Sequence, residues 1–278
     1  MRLWQGARRR AMHHLLEIVA STKWAEQLIL RGSAALKAVL GDAAREPGDI
    51  DWVVQPESLR MDEPAAAELL SGIIAAVKHS PRAGTVEFDI DAIARTDIWT
   101  YERAPGHRLA FPWAFQDLPP GVVQMDFVFG ETLFTPAQSL AVGLCELPPV
   151  TLSAASDEES LAWKLLWLYS DSYPQGKDLY DAMLLAERVP LRGEVLYQVI
   201  AKTEDCRPDW IPSLFPFRGH DRELDWSSMP RGLTASEEEK TDMGLRLAAT
   251  IRPAVEECLR LAKAAPIRSS PRTPGASA

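Results

Sequence analysis

The chain has 278 residues, 46% hydrophobic and 25% charged, a composition that excludes a disordered or collagen-like polypeptide. Thirty Lys and Arg against 39 Asp and Glu give a formal charge of −9, which argues against a general basic coat for nucleic acid and leaves room only for a local patch. Three cysteines with no CxxC pair argue against a disulfide framework or a cysteine zinc site, and point to a reducing cytoplasm. No apolar run approaches the roughly 20 residues needed to span a bilayer, so no membrane partner is expected. The stretch after Arg8-Arg9-Arg10 is too short, and interrupted by Glu17, to serve as a signal peptide.

Helical spacing of Met12, Leu15, Leu16 and Val19 opens the chain. Leu28-Ile29-Leu30 leads to Gly32-Ser33 and then to a helix over 34–40 closed by Gly41. A polar loop, 42–48, precedes a compact strand over 49–54, and an Ala/Leu/Ile-rich helix follows over 65–77. Residues 85–135 turn strand-like, with the clearest strand at 122–129. The helical period returns at Asp157, breaks at 172–176 and resumes from Lys177 to Leu185. A Pro/Trp-rich insertion is expected at 204–235, a last helix over 237–264 interrupted near Pro253, and a disordered tail at 266–278. The expected organisation is an α/β domain over 1–150 and a helical domain over 151–265.

Asp49 and Asp51 flank one apolar residue in the first strand, so period 2 sets both on one face, roughly 6–7 Å apart at Cα. Two like charges so close repel unless a cation sits between them, and Mg²⁺, which takes oxygen ligands from one or two carboxylates plus substrate phosphates, suits the pair. The bland alternative is a strand with its polar face in water. Gly32-Ser33 before a helix makes a complementary feature: glycine lets a phosphate approach the backbone, and the free N–H groups at a helix start bind anions, although an ordinary serine cap has the same appearance. Asp126 stands inside an otherwise apolar strand, where an acid is costly unless paired or metal-bound. A phosphate turn, a carboxylate pair and a third strand carboxylate are together what in-line nucleotidyl transfer with two metals requires. A second DxD, Asp89-Ile90-Asp91, lacks the turn and helix before it and reads as a solvated strand face.

Leu30-Arg-Gly32-Ser33-Ala-Ala35-Leu36, Arg45 and Asp49-Ile50-Asp51 resemble the opening motif of the AbiEii-type nucleotidyltransferases, toxins of type IV toxin–antitoxin systems. Asp126 stands where that family and other polymerase-β-like transferases place a third carboxylate. Glu158-Glu159-Ser-Leu161-Ala-Trp-Lys164 and Lys177-Asp178-Leu179-Tyr180-Asp181 are similar to the family's lysine helix and its Asp-Leu-Tyr-Asp segment. Ala34 and Pro47 depart from the usual hydroxyl residues. The resemblance implies a polymerase-β-like α/β sheet with helices and a helical carboxy-terminal domain. It also implies an enzyme that moves a nucleoside monophosphate from an NTP (ATP, GTP or CTP) to an acceptor hydroxyl on RNA, particularly tRNA, releasing pyrophosphate. Asp49, Asp51 and Asp126 then hold Mg²⁺ or Mn²⁺. Gly32, Ser33, Lys164 and Asp181 bind the nucleotide, Asp178 assists catalysis, and a separate antitoxin is the protein partner.

Read from the residues alone, Lys164 lies on a helix apolar nearly all round, so its charge wants an anion; a triphosphate, Asp178, Asp181 or solvent each answers that need. Asp178 and Asp181 in a first helical turn also complement the helix dipole. Two rivals accompany the main reading. One is a small-molecule transferase of the aminoglycoside-modifying kind, with a lid around Trp210 and Trp226; the other is an inactive nucleotide-binding or interaction module.

Overall fold

The computed structural model describes residues 2–100, 104–171, 173–202, 224–227, 229 and 236–264. The expected insertion at 204–235 and tail at 266–278 therefore lie almost wholly outside the described residues. A long helix α1 (Arg2–Ser21) precedes strand β1 (Leu28–Arg31), helix α2 (Gly32–Leu40) and strand β2 (Ile50–Val54). Helix α3 (Pro64–His79) is followed by β3 (Arg82–Ala83), β4 (Val86–Phe88), β5 (Ala94–Thr100), β6 (Ala104–Phe115) and β7 (Gly121–Val128). Then come β8 (Gln138–Val142) and β9 (Val150–Ala154). The carboxy-terminal part is helical: α4 (Asp157–Ser170), α5 (Gly176–Ala186), α6 (Gly193–Lys202) and α7 (Glu237–Ala264).

Among the described residues the strands form one mixed sheet in the order β3-β4-β6-β7-β2-β1-β9-β8, with β5 paired to β6. Alternation sorts its side chains into two layers. Leu28, Leu30, Ile50, Trp52, Met125 and Phe127 pack with α1 and α3. Ile29 and Val53, from the opposite face, join the core of α4 to α7. The acids at 51 and 126 share this second face, where the helical layer reaches the centre of the sheet.

Several local expectations are corrected. The sheet runs on to Ala154, where β9 pairs with β8 and β1. Asp89-Ile90-Asp91 is a turn after β4, not a strand face: the Asp89 carboxylate accepts the backbone N–H groups of Asp91 and Ala92. Helix α7 runs unbroken through Pro253, although proline removes one ladder hydrogen bond. Burial of Met243, Leu247, Ile251, Ala254, Val255 and Cys258 along one stripe outweighs that local loss. Two strands, β8 and β9, and helix α6 went unassigned in the sequence.

Candidate active site

Gly32 takes φ +70, a conformation that favours glycine, and turns β1 into α2. A methyl group there would lie 2.2 Å from Asp51 Oδ2, so only hydrogen fits between the turn and the carboxylate. Ser33 is buried, accepts the Gly48 N–H at 3.2 Å and donates to Asp49 Oδ1 at 3.4 Å. The Gly-Ser corner thus touches both acids of the pair. On the outer side, Arg8 donates to the carbonyls of Pro47 and Gly48, and Arg9 holds Glu46 at 2.6–2.7 Å. Arg8 and Arg9 therefore fasten α1 to the loop that delivers Asp49.

Strand register assembles the rest. Arg31 on β1 faces Asp51 on β2, Asp51 faces Asp126 on β7, and Asp126 faces Arg108 on β6. In-register neighbours project from the same face, so four adjacent strands carry the row cation, acid, acid, cation. Asp49, one residue before β2, completes a group of three carboxylates that each offer one oxygen within 4.8 Å of the others'. Arg108 donates from Nε to Asp126 Oδ1 and from Nη2 to Oδ2, both at 2.7 Å. Arg31 is buried, pairs with Glu131, and lies 5.2 Å from the ring of Trp163 and 5.6 Å from that of Trp167.

The carboxyl of Asp51 is pushed up to about 8, first by burial, then by the charges of Asp49 and Asp126; Arg31 and Lys164 pull it down less than these push. Oxygen-only donors this close, one of them unable to ionise freely at neutral pH, fit a hard divalent cation. Mg²⁺ or Mn²⁺ would be held by Asp49, Asp51 and Asp126.

The helical layer closes the floor behind the acids. Residues 159–169 of α4 are all buried, as its apolar circumference requires. Lys164, 3% exposed, donates to Asp178 Oδ1 at 2.7 Å and lies 3.0 Å from Asp181 Oδ2. Arg45 reaches over from the loop before β2 to bind both oxygens of Asp181 at 3.0–3.1 Å. Of the anions the sequence offered to Lys164, both aspartates hold it, and the break between α4 and α5 is what lets α5 fold back to do so. Their field raises Lys164 against the lowering effect of burial, and Lys164 and Arg45 lower Asp181 although burial pushes it up. Glu158 and Glu159 are structural: Glu158 binds Arg192, and Glu159 accepts the Phe134 and Thr135 N–H groups and the Thr135 hydroxyl.

The structure therefore brings Gly32, Ser33, Asp49, Asp51 and Asp126 together, with Lys164, Asp178 and Asp181 as a paired cluster beside them. Arg31, Arg45 and Arg108 were missed as participants. Arg31 and Arg45 sit inside the quoted motif, so their positions carried a signal; Arg108 shows itself only through strand register. Of the expected small-ligand lid, Trp210 lies outside the described residues, while Trp226 packs against Gly176 and under the Lys240 ammonium, 5.1 Å from its ring.

A family model described as nucleotidyl transferase AbiEii toxin, type IV TA system, matches residues 14–260. Among solved structures the chain is similar to MenT4, the nucleotidyltransferase toxin Rv2826c from Mycobacterium tuberculosis H37Rv. Identity is 17% and the TM-score 0.59, over 93% of this chain and 94% of that one, a likeness of fold. No curated protein sequence matches.

Proposed function

The chain belongs to the AbiEii family of nucleotidyltransferase toxins, and from that membership we propose that it transfers a nucleoside monophosphate from an NTP to a hydroxyl of RNA, tRNA foremost, in a reaction dependent on Mg²⁺ or Mn²⁺. The observation that carries this reading is the convergence of Asp49 and Asp51, at the start of β2, with Asp126 on β7, each offering one oxygen within 4.8 Å of the others'. They do so beside a glycine corner that tolerates no side chain.

In the proposed reaction the acceptor oxygen attacks the α-phosphorus, a new phosphodiester bond forms, and the α–β bond breaks to release pyrophosphate. A bound divalent cation supplies charge neutralisation and Lewis acidity at the phosphates. The N–H groups at the start of α2, opened by Gly32, and the Ser33 hydroxyl orient the triphosphate. A carboxylate oxygen of Asp126 takes the acceptor's proton. Lys164, held between Asp178 and Asp181, favours the ionised form of Asp51 and so the cation that would meet the phosphates. Asp178 acts through Lys164 and is a positioning residue; Asp181 does the same through Lys164 and Arg45. A separate antitoxin protein is the proposed partner that restrains the activity in cells.

The test is incubation with Mg²⁺, each labelled NTP in turn and total tRNA. Label in tRNA that disappears in Asp51→Ala supports the reading, and no transfer to any RNA by the wild-type protein overturns it. Transfer to small-molecule hydroxyls instead would identify the alternative acceptor class.

A further inference from the structure

Arg108 is a participant in the site whose present contact competes with the proposed cation. Its guanidinium forks onto both oxygens of Asp126, each at 2.7 Å, and so occupies the carboxylate that completes the cation-binding group. A divalent cation that takes both oxygens displaces the fork, and one that takes a remaining lone pair of a single oxygen repels the guanidinium beside it. The Arg108 side chain is 34% exposed, against 8% for Asp126, so the arginine has solvent into which it can swing. Its position in the row decides where it goes. Gly32 follows the end of β1, whereas Arg108 lies on β6, three strand spacings and roughly 14 Å away across the acids. The helical layer covers β1 and β2 through Ile29 and Val53, while Thr96, which faces Arg108 on β5, is exposed. Arg108 therefore stands at the uncovered edge of the site, on the side opposite the triphosphate corner.

We propose that Arg108 is a displaceable counter-cation: it holds Asp126 until a divalent cation takes that carboxylate, and then binds a phosphate of the acceptor next to the reacting hydroxyl. This rests on the proposed transfer to RNA and narrows its acceptor to one with a phosphodiester beside the reacting hydroxyl. A guanidinium freed from a carboxylate meets a phosphate with the same fork.

The experiment compares the wild-type chain with Arg108→Gln and Arg108→Lys. Mn²⁺ alone is titrated into nucleotide-free protein, with free Mn²⁺ read by electron paramagnetic resonance. Removing the competitor tightens Mn²⁺ binding by about tenfold in Arg108→Gln and by less in Arg108→Lys. In the transfer assay, Arg108→Gln raises the KM for RNA by about tenfold and flattens its salt dependence by about one phosphate contact, with the KM for NTP unchanged. Mn²⁺ affinity that is equal or weaker in Arg108→Gln overturns the counter-cation role. An unchanged KM for RNA overturns the acceptor contact. If the wild-type chain labels no RNA, the functional reading fails and the acceptor contact with it, whereas the Mn²⁺ titration still decides the counter-cation role.

Discussion

Replacing Gly32 with alanine tests the geometry of the site at a single atom. The perturbation has two parts. Holding alanine at φ +70 costs about 1–2 kcal/mol of stability. The new methyl carbon also falls 2.2 Å from Oδ2 and 3.0 Å from Cγ of Asp51, where an ordinary carbon–oxygen contact is about 3.3 Å, so the carboxylate must retreat by about 1 Å. A misplacement of that size costs about 100-fold in rate. Gly41→Ala separates the two effects: Gly41 also has positive φ, +58, but no atom lies within 4 Å of its added carbon. Both variants should melt a few degrees lower, at about 2–4 °C per kcal/mol for a chain of this size. Only Gly32→Ala should lose NMP transfer. The reasoning is refuted if Gly32→Ala keeps more than about a third of wild-type activity, or if Gly41→Ala loses as much as Gly32→Ala does.

Four further outcomes follow from particular contacts. Lys164→Met leaves Asp178 buried without its cation and should cost about 3–5 kcal/mol in urea unfolding; Lys164→Met combined with Asp178→Asn should recover part of that loss. With the metal-free Asp51 carboxyl at about 8, most molecules carry that proton at pH 7, so Mg²⁺ uptake there should release about one proton and its calorimetric enthalpy should depend on the buffer. Above about pH 9 the release should vanish, and a buffer-independent enthalpy at pH 7 would contradict the shift. Burial pushes the Cys258 thiol up to about 12, so iodoacetamide at pH 8 should modify it only after unfolding. Pro253 is an exposed residue inside α7, and Pro253→Ala should stabilise the chain by about 1–3 kcal/mol in the same urea assay.

Period 2 was enough to put Asp49 and Asp51 on one face, and the cost of an acid among Val123, Met125 and Phe127 was enough to single out Asp126. The partners were not legible in the same way. Arg108 meets Asp126 because β6 and β7 pair antiparallel in one register, and a shift of one residue would send Arg108 to the other face. Register is fixed by the whole hydrophobic pattern of two strands, which no short motif contains. Strand β8 carries no clean alternation, whereas β9 did carry a period-2 signal, Val150-Thr151-Leu152-Ser153-Ala154, in a run of only five residues beside Pro148-Pro149. Helix α6 did carry a signal, Val195, Leu196, Val199 and Ile200 at helical spacing, and it is buried on that stripe. At Pro253 a local rule suggested a break that tertiary packing overrides.

Charge balance favours one acidic group over the other as the place of the proposed cation. Lys164 and Arg45 face Asp178 and Asp181, two charges against two, with every carboxylate held by a donor within 3.1 Å. That cluster closes on itself and joins α4 and α5 to the loop before β2 with no ligand required. The strand row does not close. Asp49, Asp51 and Asp126 face Arg108 and Arg31, but Arg31 is shared with Glu131, so the acids outnumber the guanidinium charge available to them. A deficit of this kind in a partly buried place must be met by a proton or by a cation. The raised carboxyl of Asp51 is the proton's answer, and displacement of that proton by a divalent cation is the step that would ready the site for the proposed triphosphate.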